Sequence, residues 1–239
     1  MKKLNFLLIG AALALPAVAK ATIIGSPHDL SQRSWNTREK TVCSPCHAAH
    51  NTDPAKDRPP LWIHATTTAT FVPYGTTRQG TPVGQPTGSS LACLSCHDGT
   101  VALNQMINGK QIGSPPEYID PLAQIGPDLH TTHPISFLYM VNTNNAGLNN
   151  PDTYKIGDPV PTAGTTPPVP ASGWGAGTGL TGKTLNQALL GGNYTLQCSS
   201  CHDVHKNVGS SPTSGVLLKI SGIDVSNRGS LICRNCHLK

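Results

Sequence analysis

The spacing Cys-x-x-Cys-His occurs four times in the 239-residue chain: Cys43-Ser44-Pro45-Cys46-His47, Cys93-Leu94-Ser95-Cys96-His97, Cys198-Ser199-Ser200-Cys201-His202 and Cys233-Arg234-Asn235-Cys236-His237. These four copies consume all eight cysteines. Two thiols three positions apart can form thioethers to the two vinyl groups of one porphyrin, and the next side chain then reaches the iron from the same face. A chain built this way must fold around four flat groups, each fixed at three points.

Three other chemistries use Cys-x-x-Cys. Zinc ribbons and knuckles do, but they do not need histidine after every second cysteine. With 10 histidines in 239 residues, four such coincidences by chance would be on the order of one in several hundred thousand. A thioredoxin-like redox pair occurs once, beside a βαβ pattern that is absent here. Structural disulfides are disfavoured because thioether attachment leaves no free thiol. The motifs therefore predict four covalently attached c-type haems, held by Cys43, Cys46, Cys93, Cys96, Cys198, Cys201, Cys233 and Cys236, with His47, His97, His202 and His237 on the irons.

Composition points the same way. Charged residues are 12% and aromatics 5% of the chain, whereas there are 24 glycines and 21 prolines, so the chain is a poor builder of its own core. Burying a few hundred Å² of each macrocycle at about 25 cal/mol/Å² would contribute on the order of 10 kcal/mol per haem. The expected fold class is a multihaem cytochrome c: mostly coil, a few short helices, little strand, and a core built around covalently attached haems.

Lys2 and Lys3, an apolar run from Leu4 to Val18, and the small-x-small steps Ala17-Val18-Ala19 and Ala19-Lys20-Ala21 predict a signal peptide over 1–21. The run is too short for a good membrane anchor, so no transmembrane segment is expected after cleavage. Loss of Lys2, Lys3 and Lys20 would leave 14 basic against 12 acidic residues, a surplus that haem propionates outweigh. Nucleic acid is not an expected partner.

Residues 22–239 read as a single tetrahaem domain in two dihaem halves, roughly 22–130 and 131–239. Cys-x-x-Cys-His-x-x-His recurs at 43–50 and 198–205, and Ser-Cys-His-Asp at 95–98 and 200–203. Helices are expected over Leu91–Ile107 and Thr184–Leu190, the latter ended by Gly191-Gly192. A short strand is expected over Thr66–Val72, and a Pro/Gly/Thr-rich loop over 157–182.

Six-coordinate irons need four further ligands, and the chain offers His28, His50, His64, His130, His133 and His205. Only Met106 and Met140 would survive leader cleavage, and bis-histidine ligation sets lower potentials than His/Met. His50 and His205 lie three residues after a motif histidine, on its side of the ring, so each should serve a different haem. His64 sits in the apolar Leu61-Trp62-Ile63-His64. His133 precedes a proline that extends the backbone, which favours it over His130. His28 is a further ligand, or Asp29 orients an imidazole.

Gly25-Ser26-Pro27-His28-Asp29-Leu30, the first motif followed by Ala48-Ala49-His50-Asn51, Pro60-Leu61-Trp62-Ile63-His64, Cys93 to Ala102, His133-Pro134-Ile135-Ser136-Phe137 and Cys198 to His205 occur in this order. Together they resemble the doubled-CXXCH tetrahaem cytochromes of the OmcE type, exported by metal-reducing bacteria. The resemblance implies a homopolymer, an extracellular filament in which a histidine of one subunit completes a haem of the next. It makes His50 the first choice for that inter-subunit ligand and His28 the second, with the haem on Cys233, Cys236 and His237 as receiver. His130 departs from the family pattern.

The leading functional expectation is an electron conduit at the cell surface or outside it, fed by upstream redox proteins and discharging to extracellular acceptors. The alternative is a monomeric periplasmic shuttle. An enzyme is not expected, because catalysis needs an iron with an open position and distal candidates are in excess.

Overall fold

The computed structural model describes residues 23–36, 41–50, 59–139, 147–158, 179–205, 217–220, 223–224 and 229–238. The expected signal peptide and the centre of the 157–182 loop lie outside them. Glycine and proline at this density leave few uninterrupted runs, and helix α1 (Gly88–His97), with 10 residues, is the longest among the described residues. Helices α2 (Leu185–Leu189), α3 (Cys198–Cys201) and α4 (Leu231–Arg234) are single turns. Strands β1 (Phe137–Leu138) and β2 (Thr195–Leu196) pair antiparallel, as do β3 (Ile223–Asp224) and β4 (Gly229–Ser230). No described helix is long and apolar enough to cross a membrane.

Helix α1 stops at His97 instead of continuing to Ile107. The Asp98 carboxylate accepts from the Thr100 amide at 2.8 Å and from its hydroxyl at 2.9 Å, competing with the helical ladder. Gly99 then takes φ +78°, in the left-handed region. Beyond it Asn104, wholly buried, holds the Ile112 and Pro115 carbonyls at 2.9 and 3.2 Å.

Helix α2 forms where expected, through a capping box. Thr184 Oγ1 accepts from the Gln187 amide at 3.3 Å, and Gln187 Oε1 accepts from the Thr184 amide at 3.1 Å. Residues 66–72 differ from expectation: their one ladder contact is a bridge from Val72 to Asp128. The Gln85 side chain replaces a partner strand, its Oε1 accepting from the Phe71 amide and its Nε2 donating to the Phe71 carbonyl, both at 2.9 Å.

Buried apolar side chains form two clusters. Phe71, Leu94 and Leu129 make the smaller. Tyr139, Tyr154, Ile156, Leu185, Leu189, Leu190, Leu196, Ile220 and Ile232 carry the larger, and Ile135 packs against both. Small polar residues join α1 to α3: Ser89 and Ser199 hydroxyls lie 2.6 Å apart, and Ser90 Oγ accepts from the Cys198 amide at 2.9 Å. Gln197 Oε1 accepts from the Ser90 hydroxyl and amide and, at 3.2 Å, from Ser136 Oγ. Side chains this short let the second and third cysteine motifs approach closely.

Candidate haem-binding sites

Each Cys-x-x-Cys-His motif is wound into a helical turn. The amides of His47, His202 and His237 donate to the carbonyls of Cys43, Cys198 and Cys233 at 2.9, 3.0 and 2.9 Å. The second motif lies wholly in α1. An i→i−4 closure stacks the first cysteine and the histidine one turn apart, with the second cysteine at i+3 on the same face. That is the three-point geometry a covalently held porphyrin requires.

Backbone carbonyls orient several imidazoles. His47 Nδ1 donates to the Pro60 carbonyl at 2.9 Å, His97 Nδ1 to Ala123 at 2.8 Å and His133 Nδ1 to Pro134 at 2.9 Å. A carbonyl only accepts, so the proton sits on Nδ1 and Nε2 keeps the lone pair a metal would take. The Ala123 loop is itself pinned to the motif, since the Ile125 amide donates to the His97 carbonyl at 2.6 Å.

Three motif histidines face a histidine from elsewhere in the chain. Ring centres are 6.1 Å apart for His97 and His28, 6.2 Å for His47 and His205, and 6.3 Å for His237 and His133. Two imidazoles bound to opposite sides of one metal, at about 2 Å per metal–nitrogen bond, have ring centres about 6 Å apart. His205 thus lies against a motif other than its own. His133 stands opposite the fourth motif, which the family resemblance made the receiver of a neighbour's histidine. His28, the second choice for donation to a neighbour, lies inside its own chain.

The other histidines sit differently. His64 is 2% exposed, its Nδ1 2.7 Å from the Ala65 carbonyl and its Nε2 3.1 Å from that of Ala102. A neutral ring can donate to only one of them. His64 Nε2 also lies 3.7 Å from Cys96 Sγ, at the second motif's attachment point. His130 is exposed and paired with the Asp128 carboxylate. His50 and His202 are exposed, and His202 bridges Leu218 through the backbone.

Burial sets the electrostatics. It pulls His28 down to about 4, helped by the like charges of His97, His202 and His205, and so favours the neutral form that binds metal. His64 is lowered by desolvation against the opposing pull of its carbonyl partners. Burial pushes the Cys46 and Cys201 thiols up to about 11 and the Cys96 and Cys236 thiols up to about 12. Cys93 and Cys198 share a hydrogen bond that raises the first and lowers the second to about 7. The same electrostatic contacts order the motifs: Cys46 acts on Cys93 and Cys96, Cys93 on Cys198, and Cys201 on Cys236.

None of the eight cysteines is joined in a disulfide. Among the described residues no three His, Cys, Asp or Glu side chains converge as a bare metal ion would need. Buried polar atoms without a partner, His28 Nδ1 and Trp62 Nε1, lie beside the imidazole pairs. Paired imidazoles, cysteines outside any disulfide and these unpartnered polar atoms are compatible with haem.

Sequence reasoning missed the clamp on the fourth motif. Tyr139 Oη donates to the Asn149 carbonyl at 2.9 Å, and Asn149 Nδ2 donates to the carbonyls of Arg234 and Asn235 at 3.3 and 3.0 Å. Leu148 bridges His237 through the backbone. It also missed the carbonyls of Pro60 and Ala123, which no side-chain pattern announces. No family model matches the chain, and no curated protein sequence matches it.

Proposed function

We propose that the chain is a covalent tetrahaem c-type cytochrome that conducts electrons as the subunit of an extracellular filament. The observation that carries the haem reading is the set of three imidazole pairs at 6.1–6.3 Å, each joining a Cys-x-x-Cys-His histidine to one from a distant segment. Bound haem supplies one-electron exchange between ferric and ferrous iron.

The chain's own residues do the rest. The cysteine pairs anchor each ring, so the cofactor cannot dissociate. His47 with His205, His97 with His28, and His237 with His133 would hold three of the irons, which would leave those irons no place for a substrate. His202 holds the remaining haem from its motif. Thiols of successive motifs lie close enough to interact electrostatically, and this closeness supports a row of neighbouring haems rather than four isolated ones.

The filament reading rests on the family resemblance together with the unequal setting of the histidines. His28 is taken up against His97, whereas His50 is exposed, so His50 is the ligand offered to a neighbouring subunit. Export through the leader, delivery of electrons by upstream redox proteins and discharge to extracellular acceptors complete the proposal.

The test is to express the protein with the haem-attachment machinery, measure haem per chain, and image the secreted material by cryo-electron microscopy. Four haems and filaments with a continuous haem chain are expected. His50→Ala should keep four haems and lose the filaments. Monodisperse particles with four internally closed haems would replace the conduit with a soluble shuttle.

A further inference from the structure

Trp62 carries a buried donor beside the first cysteine motif. The residue belongs to the segment that brings the Pro60 carbonyl to His47, and it is tied to that motif by a backbone bridge between His47 and Trp62. Its indole lies between two imidazoles, with ring centres 6.1 Å from His47 at 86° and 6.1 Å from His64 at 64°. Nε1 is buried and has no hydrogen-bond partner among the described residues.

The nearby carbonyls are already committed. Pro59 accepts from the Trp62 amide at 3.3 Å, Pro60 from His47, and Ala65 from His64. An indole nitrogen can only donate, and a buried donor left unpaired is destabilising. An acceptor brought by the group that fills the site would satisfy it. A c-type haem carries two such acceptors, its propionate carboxylates, and a hydrogen bond from a neutral N–H to a carboxylate is among the stronger kinds.

We infer that the Trp62 indole N–H donates to a propionate of the haem held by Cys43, Cys46 and His47 and raises that haem's midpoint potential. The inference rests on the haem reading above. An unneutralised carboxylate beside the iron favours the ferric state, and a donor that spreads its charge removes part of that preference. Trp62 is in this sense a positioning and tuning residue, one that acts on the iron through the propionate.

The experiment uses the haem-loaded protein. Haem per chain is measured first, and fewer than four in the unmutated protein would overturn the cofactor reading itself. In a four-haem Trp62→Phe variant, spectroelectrochemical titration should show one of four midpoints moved to lower potential, with a shifted propionate bending band in the resonance Raman spectrum. Unchanged midpoints and an unchanged band would overturn the inference. Should Trp62→Phe load incompletely, the unmutated ferrous protein gives the answer by NMR: a downfield, slowly exchanging Trp62 indole proton supports the bond, and a fast-exchanging one refutes it.

Discussion

Replacing His133 by alanine, alongside the same change at His130, tests the axial assignment most directly. The two residues lie three positions apart in one loop, and both are exposed. His133 Nδ1 is fixed by the Pro134 carbonyl, and its ring centre is 6.3 Å from that of His237. The His130 ring is turned away to the Asp128 carboxylate. If His133 and His237 close one iron, His133→Ala opens an axial position on one iron in four, because the chain carries four motifs. About a quarter of the iron should then become high-spin, a fraction fixed by the motif count and read by integrating the ferric EPR signal or the Soret band. Added imidazole should return that quarter to low spin, which a folding defect would not allow. The affected haem should also move to higher potential, because loss of a basic axial ligand disfavours the ferric state. His130→Ala should leave the spectrum unchanged. A high-spin fraction in the His130 variant and none in the His133 variant would refute the reasoning.

Four further substitutions separate ligation from scaffolding. His205→Ala and His28→Ala should each convert about a quarter of the iron, and the double variant about half, because they face different motif histidines; equal spectra for single and double variants would contradict the pairing. Asn149→Ala leaves the buried Arg234 and Asn235 carbonyls without their donor, which should cost about 1–3 kcal/mol, seen as a melting temperature several degrees lower with the haem count unchanged. In Gly99→Ala the new Cβ would meet Gln124 Oε1 at 2.7 Å from a backbone at φ +78°. The left-handed conformation alone should cost about 1–2 kcal/mol, and the flexible end of Gln124 would turn aside, so a lower melting temperature with an unchanged haem count is expected.

What could be read from the sequence was whatever chemistry fixes within a few residues. Thioether attachment dictates the i, i+3 and i+4 spacing, so the four motifs were visible as strings, and the structure winds each into the turn that spacing suits. Helix α2 was legible for the same reason, since the Gly191-Gly192 stop is local, and the structure adds a capping box complete within four residues. The overlong α1 was a local misreading: Asp98-Gly99-Thr100 is itself a stop signal, an acceptor side chain followed by a residue free to take positive φ. Residues 66–72 were a different kind of error. Their weak alternation is real, but the group that satisfies Phe71 is an amide side chain, Gln85, and no period-two pattern can name it.

The distal histidines mark the limit. Counting showed that enough existed, and a same-side argument excluded His205 from its own iron, yet nothing local says that His205 meets His47 or that His28 meets His97. Those meetings depend on how coil segments return, and the returns are held by single backbone bonds and by short serines between α1 and α3. Residues that orient the motif histidines are the least legible of all, because Pro60 and Ala123 act through carbonyls that every residue has. In a chain with so little regular structure, the ligand set is therefore better inferred from which imidazoles come within about 6 Å of one another than from any further refinement of the motif.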